Sequence, residues 1–216
     1  MSNADRRVVY VTGFGPFRDV TENASWAAVR LLPETGIETE LNIRLVIEEV
    51  PVAYDHVSNE TCERWRALSP HLVVHVGVSS KATDVQLETK ANCAGYKGLD
   101  VKGCVPIDGK CKRELDEDAF ILSGLDLSLV ASNVNKLGLP CHVATSENAG
   151  RYLCEFIYFT SLCVDRKRVC FIHVPPESIC QSTVIASILK ACIGEMLKQL
   201  NEAVTSDPPV NSSQVQ

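Results

Sequence analysis

Cys154 closes the stretch Ser146-Glu147-Asn148-Ala149-Gly150-Arg151-Tyr152-Leu153-Cys154, where a strand gives way to a loop and then a helix. If Gly150 delays that helix until about Tyr152, the thiol falls in its first turn. Unpaired backbone amides and the helix dipole there favour the thiolate, the form that attacks, and the same amides could bind an oxyanion. The competing reading is a buried structural thiol, since the chain has ten cysteines. His173 stands near the end of the apolar run Val169-Cys170-Phe171-Ile172-His173-Val174, just before Pro175-Pro176. An imidazole with an ordinary pKa near 6.5 could activate a thiol at neutral pH, or it could be a histidine satisfied within the core. Glu88, in Val85-Gln86-Leu87-Glu88-Thr89-Lys90, could orient the imidazole and stabilise its cation. Alternation along that run could equally place it on a solvated face.

Gly13-Phe14-Gly15-Pro16-Phe17 lacks the lysine of a nucleotide loop and the third glycine of a dinucleotide fingerprint, so phosphate binding is unsupported. Phe14 and Phe17, three apart, could instead wall a slot for a flat apolar ring, or be loop aromatics pinned into the core. Cys93, Cys104 and Cys111 lack the short paired spacings of zinc sites. No metal and no cofactor are expected.

These residues need a scaffold that brings distant segments together, and the hydrophobic pattern supplies one. Strands are expected at Val8–Thr12, Ile43–Val50, Leu72–Val78, Cys141–Ala144 and Val169–Val174, with Leu72–Val78 central because it reads as a fully buried strand. Helices are expected from an Asn23 or Ser25 cap through Trp26, Val29 and Leu32 to Pro33, and at Tyr54–Leu68 and Asp126–Lys136. Two more are expected from Ala149 or Tyr152 to Leu162, and along Ile185, Ile188, Leu189, Cys192, Ile193, Met196, Leu197 and Leu200. Residues 93–125 read as irregular, with room for a hairpin. Strands alternating with helices imply an α/β fold of three layers, a mainly parallel or mixed twisted sheet covered on both faces. Its ligand site should lie where strands end and helices begin.

A chain of 216 residues, 45% hydrophobic and 22% charged, suits one domain over 1–203, with 204–216 as a disordered polar tail. A net charge of −6 argues against nucleic acid as a partner. No apolar run approaches the roughly 20 residues needed to span a bilayer, and no export signal precedes Val8. The expected location is therefore the cytoplasm, with reduced cysteines and with the Asn-x-Ser/Thr triplets at Asn23, Asn59 and Asn211 without meaning.

Four segments in this order resemble the pyroglutamyl peptidase I family, cysteine peptidases that remove N-terminal pyroglutamate. They are Thr12-Gly13-Phe14-Gly15-Pro16-Phe17 with Asn23, Val74-His75-Val76-Gly77-Val78, Ala149-Gly150-Arg151-Tyr152-Leu153-Cys154, and Phe171-Ile172-His173-Val174-Pro175. The resemblance covers roughly Val8 to Leu200 and looks closer to the animal form, or a paralogue of it, than to bacterial members. It implies Cys154 as nucleophile, His173 as base and Glu88 as third member of a triad. It also implies Phe14 and Phe17 around the pyroglutamyl ring, Tyr152 and Leu153 in the pocket wall, and Asn23 ordering the loop. Val78-Ser79-Ser80 departs from the Gln-Ala-Gly-Gly of bacterial members, so that ring-amide recognition at Val78 would rest on backbone groups. Small peptides with N-terminal pyroglutamate are the implied substrates, and the rival reading is a relative that binds such termini without cleaving them.

Overall fold

The computed structural model describes residues 6–17 and 20–206. Its first strand, β1 (Arg7–Phe14), outlasts the β-branched run that nucleates it. The parallel ladder to β2 (Ile43–Val50) continues to the pair Phe14 and Val50, so Phe14 is the last residue of a strand and not part of the loop. Between them, α1 (Ala24–Val29) is capped by Asn23, whose side chain accepts from the Ser25 amide. This helix is shorter than periodicity alone suggests, because Pro33 diverts the chain into a 3-10 turn at Leu32–Thr35. Gly36, at φ 73°, then starts the short α2 (Ile37–Leu41).

After α3 (Tyr54–Leu68) comes β3 (Leu72–Val78), buried on both faces as its composition demands. The next strand, β4 (Val85–Glu88), was not among those expected. An antiparallel ribbon of β5 (Lys90–Asn92) and β6 (Phe120–Leu122) brackets the irregular 93–119 stretch. The remaining elements are α4 (Leu127–Asn135), β7 (Val143–Ser146), α5 (Leu153–Asp165), β8 (Val169–Val174) and α6 (Ser182–Ser206). β7 starts two residues later than expected because the Asn135 side chain bonds both the amide and the carbonyl of Val143, which fixes the strand's origin. α6 continues to Ser206, past the expected start of the tail, and residues 207–216 lie outside the described residues.

The six-stranded sheet runs β2-β1-β3-β8-β4-β7, with β3 and β8 in the middle. All neighbouring pairs are parallel except β4 and β8, so the sheet is mixed. One apolar cluster joins α1, α4 and α6 to one face through Val9, Val11, Val74 and Ile172. All eight apolar positions named for the last helix are buried in it, the large aliphatic ones each contributing about 1.5–3 kcal/mol relative to exposure. A second cluster joins α3 and α5 to the other face through Tyr10, Val73, Phe171 and Phe159. The result is a single three-layer α/β domain.

Candidate active site

On the face covered by α5, register alone brings three strands to one point. Gly77 of β3 lies opposite His173 of β8, and Gln86 of β4 lies on the other side of His173. Side chains two apart on a strand share a face, so Glu88 points the same way as Gln86, and Phe171 the same way as His173. The diagonal step from His173 to Glu88 is one that long side chains span. His173 Nδ1 and Glu88 Oε1 are 2.7 Å apart. Glu88 is 0% exposed, which overturns the solvated-face reading: the antiparallel β4 turns its acidic side chain under α5. Its carbonyl accepts from the Tyr158 hydroxyl at 2.7 Å, which locks the strand, and its Oε2 has no hydrogen-bond partner among the described residues.

His173 also hydrogen-bonds Cys154, which assigns Nε2 to the sulfur, since Nδ1 is engaged by Glu88. Burial is the largest single influence on the ring and opposes its charge. The charge and hydrogen bond of Cys154, joined by those of Glu88, outweigh it and push His173 up to about 10. The sulfur reaches this point because β3 carries a glycine: a Cβ on Gly77 would sit 2.8 Å from Cys154 Sγ and 2.8 Å from Phe171 Cζ.

Cys154 is the second residue of α5, in the first turn as expected. The first backbone bond of the helix runs from the Phe156 amide to the Tyr152 carbonyl, so the amides of Leu153 to Glu155 have no intrahelical acceptor. The turn into the helix is strained. Gly150 has φ 94°, and Arg151, which has a side chain to accommodate, has φ 105°. Glu155, next to Cys154 and fully buried, holds that turn. Arg151 donates to both of its carboxylate oxygens (3.0 and 2.8 Å), and the amide and side chain of Asn92 donate to Oε1 (3.0 and 2.8 Å).

Cys154 and His173 open into a cavity of about 550 Å³ whose walls also include Phe14, Phe17, Asn23, Val78, Tyr152 and Leu153. Every expected site residue except Glu88 thus lines one cleft, and Glu88 stands behind His173. Asn23 spends its polar atoms on the loop: its Nδ2 donates to the Gly15 carbonyl (3.0 Å), and its Oδ1 accepts from the Ser25 amide and hydroxyl. Ser25 Oγ in turn accepts from the Phe14 amide at 3.0 Å. Phe17 is fixed by the two backbone bonds that it exchanges with Val20.

The sequence profile described as Pyroglutamyl peptidase matches residues 7–206. The chain belongs to the pyroglutamyl peptidase family. It is 42% identical over 199 residues to Pyroglutamyl-peptidase 1 of Mus musculus, covering 92% of this chain and 93% of that one, and 41% identical to the Homo sapiens protein over the same shares. Identity to the Homo sapiens Pyroglutamyl-peptidase 1-like protein is 31%, over 79% of this chain and 86% of that one. The crystal structure of Bacillus amyloliquefaciens pyroglutamyl peptidase I superposes with TM-score 0.73 at 24% identity, over 86% of this chain and 94% of that one.

Several features of this pyroglutamyl peptidase site escaped sequence reading. Gln86 and Val52 line the cleft, and Glu155 secures the turn before Cys154; single residues in such settings carry no local pattern. Ser79 lines the cleft too, but its amide donates to the Val174 carbonyl at 3.0 Å, so that donor is closed to a ligand. His75 serves elsewhere. Its ring bridges Thr12 Oγ1 (2.7 Å) and Ser161 Oγ (2.8 Å) deep in the core, and burial lowers its pKa to about 3, keeping it neutral. Among the described residues no group of three His, Cys, Asp or Glu side chains could hold a metal ion, and no helix is long and apolar enough to cross a membrane.

Proposed function

We propose that this chain hydrolyses the bond after an N-terminal pyroglutamyl residue of small peptides, with Cys154 as nucleophile, His173 as base and acid, and Glu88 as its orienting carboxylate. The observation that carries this reading is that His173 is engaged by Glu88 on one side and by Cys154 on the other, with Cys154 and His173 lining an aromatic-walled cleft. Family membership and the names of the mammalian relatives support the substrate class.

Each step follows from the geometry. His173 Nε2 holds the proton taken from the thiol, and the sulfur, now a thiolate, forms a bond to the scissile carbonyl carbon. Glu88 holds the Nδ1 proton and stabilises the imidazolium. The amides of the first turn of α5 face the negative charge that develops on the carbonyl oxygen. The C–N bond then breaks, its electron pair leaving with the amine, which takes the proton from His173. In the second half, His173 removes a proton from water as its oxygen bonds to the thioester carbon, the C–S bond breaks, and the departing sulfur shares again the proton that His173 took from the water. The net reaction consumes one water and needs no cofactor. Phe14 and Phe17 cover the faces of a flat uncharged lactam, while Val78, Tyr152 and Leu153 close the pocket around it. Asn23 acts by holding the loop that leaves the strand after Phe14 and carries Phe17. The ten free cysteines and the lack of a membrane-spanning helix among the described residues support placing the protein in the cytoplasm.

Incubation with a pyroglutamyl fluorogenic amide tests the reading. The wild-type protein should release the fluorophore, and Cys154→Ser should not while keeping its circular dichroism spectrum. Tight binding of the amide by the wild-type protein without release would identify a binding protein in place of an enzyme.

A further inference from the structure

Beside the cleft lies a second cavity of about 450 Å³, lined by Pro16, Phe17, Leu99, Asp100, Val101 and Tyr152. It shares Phe17 and Tyr152 with the cleft, so one wall divides the two, and Tyr152 stands only two residues before the nucleophile.

The segment that forms its outer side is firmly anchored. Asp100, itself buried, accepts from the amides of Tyr54 (3.0 Å), Lys102 (2.8 Å) and Cys104 (2.9 Å). The Val101 amide donates to the carbonyl of Val52, another cleft residue, at 3.1 Å. The hydroxyls of Tyr54 and Tyr152 donate to the carbonyls of Gly98 (3.1 Å) and Leu99 (2.8 Å). A Cβ on Gly98 would come within 2.9 Å of the Tyr152 ring, so the segment lies directly on that residue. Yet this fixed segment leaves Leu99 60% and Val101 51% exposed. Two apolar side chains held rigidly in water next to an active-site cleft form a ready surface for an apolar ligand.

We infer that Pro16, Phe17, Leu99, Val101 and Tyr152 form a subsite for an apolar side chain of the departing peptide, one or two residues beyond the scissile bond. The inference rests on the cleft being the pyroglutamyl site. With the ring covered by Phe14 and Phe17 and its carbonyl at Cys154, the remaining chain must leave the cleft. At about 3.3 Å per extended residue, one or two residues carry it past Tyr152. The charged and amide residues that also line the cleft, Glu22, Lys81, Glu177 and Asn148, suit an apolar side chain less well than this second cavity does.

The test compares release of pyroglutamate from two peptide-amide series, pyroglutamyl-X-Gly and pyroglutamyl-Gly-X, with X as Leu, Gly, Ser or Asp. In one of the series the wild-type protein should favour Leu over Ser by roughly tenfold in kcat/KM, the scale of a modest apolar contact. The double variant Leu99→Ser, Val101→Ser should lose that preference while cleaving pyroglutamyl-Gly-Gly at the wild-type rate. Its anchoring is by backbone groups, Asp100 and the tyrosines, which the variant retains, and its melting temperature checks that the fold survives. Equal rates for Leu and Ser in both series, or a Leu preference unchanged in the double variant, would overturn the subsite. So would a preference governed by X as Asp and abolished by Lys81→Ala, which would route the peptide over those charged residues. If the wild-type protein cleaved no pyroglutamyl peptide at all, the functional reading itself would fall, and the subsite with it.

Discussion

His173 works against its surroundings: burial disfavours its charge, and only the sulfur on one side and the carboxylate on the other restore it. The sign of its pH dependence follows. Below about 10 the ring can hold its proton and deliver it to the departing amine, and as pH rises through about 10 that proton is lost, so kcat should fall on the alkaline side. Glu88 contributes to the raised value, so Glu88→Gln should move the alkaline limb to lower pH. A pH profile of the variant whose limb stays put or moves upward would contradict this. The same geometry ranks the losses. His173→Ala removes proton transfer and should cost roughly 10²–10⁴-fold in kcat. Glu88→Gln keeps an acceptor for Nδ1–H and should cost less. Were the glutamine variant silent in single-turnover assays, Glu88 would have no part in the reaction.

At the scale of elements, the site is made by one strand that reverses and one that omits a side chain. Gly77→Ala would press a methyl group into both Cys154 Sγ and the Phe171 ring. Such overpacking costs about 1–3 kcal/mol, and because the sulfur is one of the displaced atoms, kcat should fall by more than the change in melting temperature suggests. Retained wild-type turnover would show that the sulfur does not depend on that space. Glu155→Gln should weaken the hold on Arg151 at its positive φ and lower kcat with little change in KM; a shift confined to KM would argue against a role in setting the nucleophile's turn. Much of this scale was legible beforehand. The apolar run at Leu72–Val78 marked the central strand, and Gly150 marked the delayed helix that puts Cys154 in a first turn. What was not legible depends on pairing. The four residues of β4 alternate in the same way whether their polar side faces water or a buried histidine, and only its antiparallel place beside β8 decides for Glu88. Likewise the value of Gly77 lies in a neighbour 77 positions along the chain.

Across the whole molecule, two apolar clusters clamp the sheet between helices, and the cleft lies at one end of the strands, where β1, β3 and β8 run into loops. Stability and activity should therefore separate. Gly194 lies within α6, and a Cβ there meets only Leu41 at an ordinary 3.5 Å, so Gly194→Ala should stabilise the protein by roughly 0.5–1 kcal/mol without altering turnover. A lowered melting temperature would show that the α6 and α2 packing is tighter than this geometry implies. The fold class was readable from alternating strands and helices, and the resemblance named most of the cleft lining, whereas Val52 and Gln86 were not legible because only the closed sheet brings their separate stretches to the same cleft. Its chemistry makes one further demand. An N-terminal proline has a ring like that of pyroglutamate, but lacks the lactam carbonyl and carries a protonated amine that an apolar slot must desolvate. A site that satisfies polar ring atoms can reject an analogue lacking them by about 10⁴-fold, against roughly 10–200-fold for a purely apolar slot. The most direct measurement is kcat/KM of the wild-type protein on matched pyroglutamyl and prolyl amides. A preference for pyroglutamyl of at least about 10³-fold is expected, and comparable cleavage of the two would contradict both the slot and the substrate.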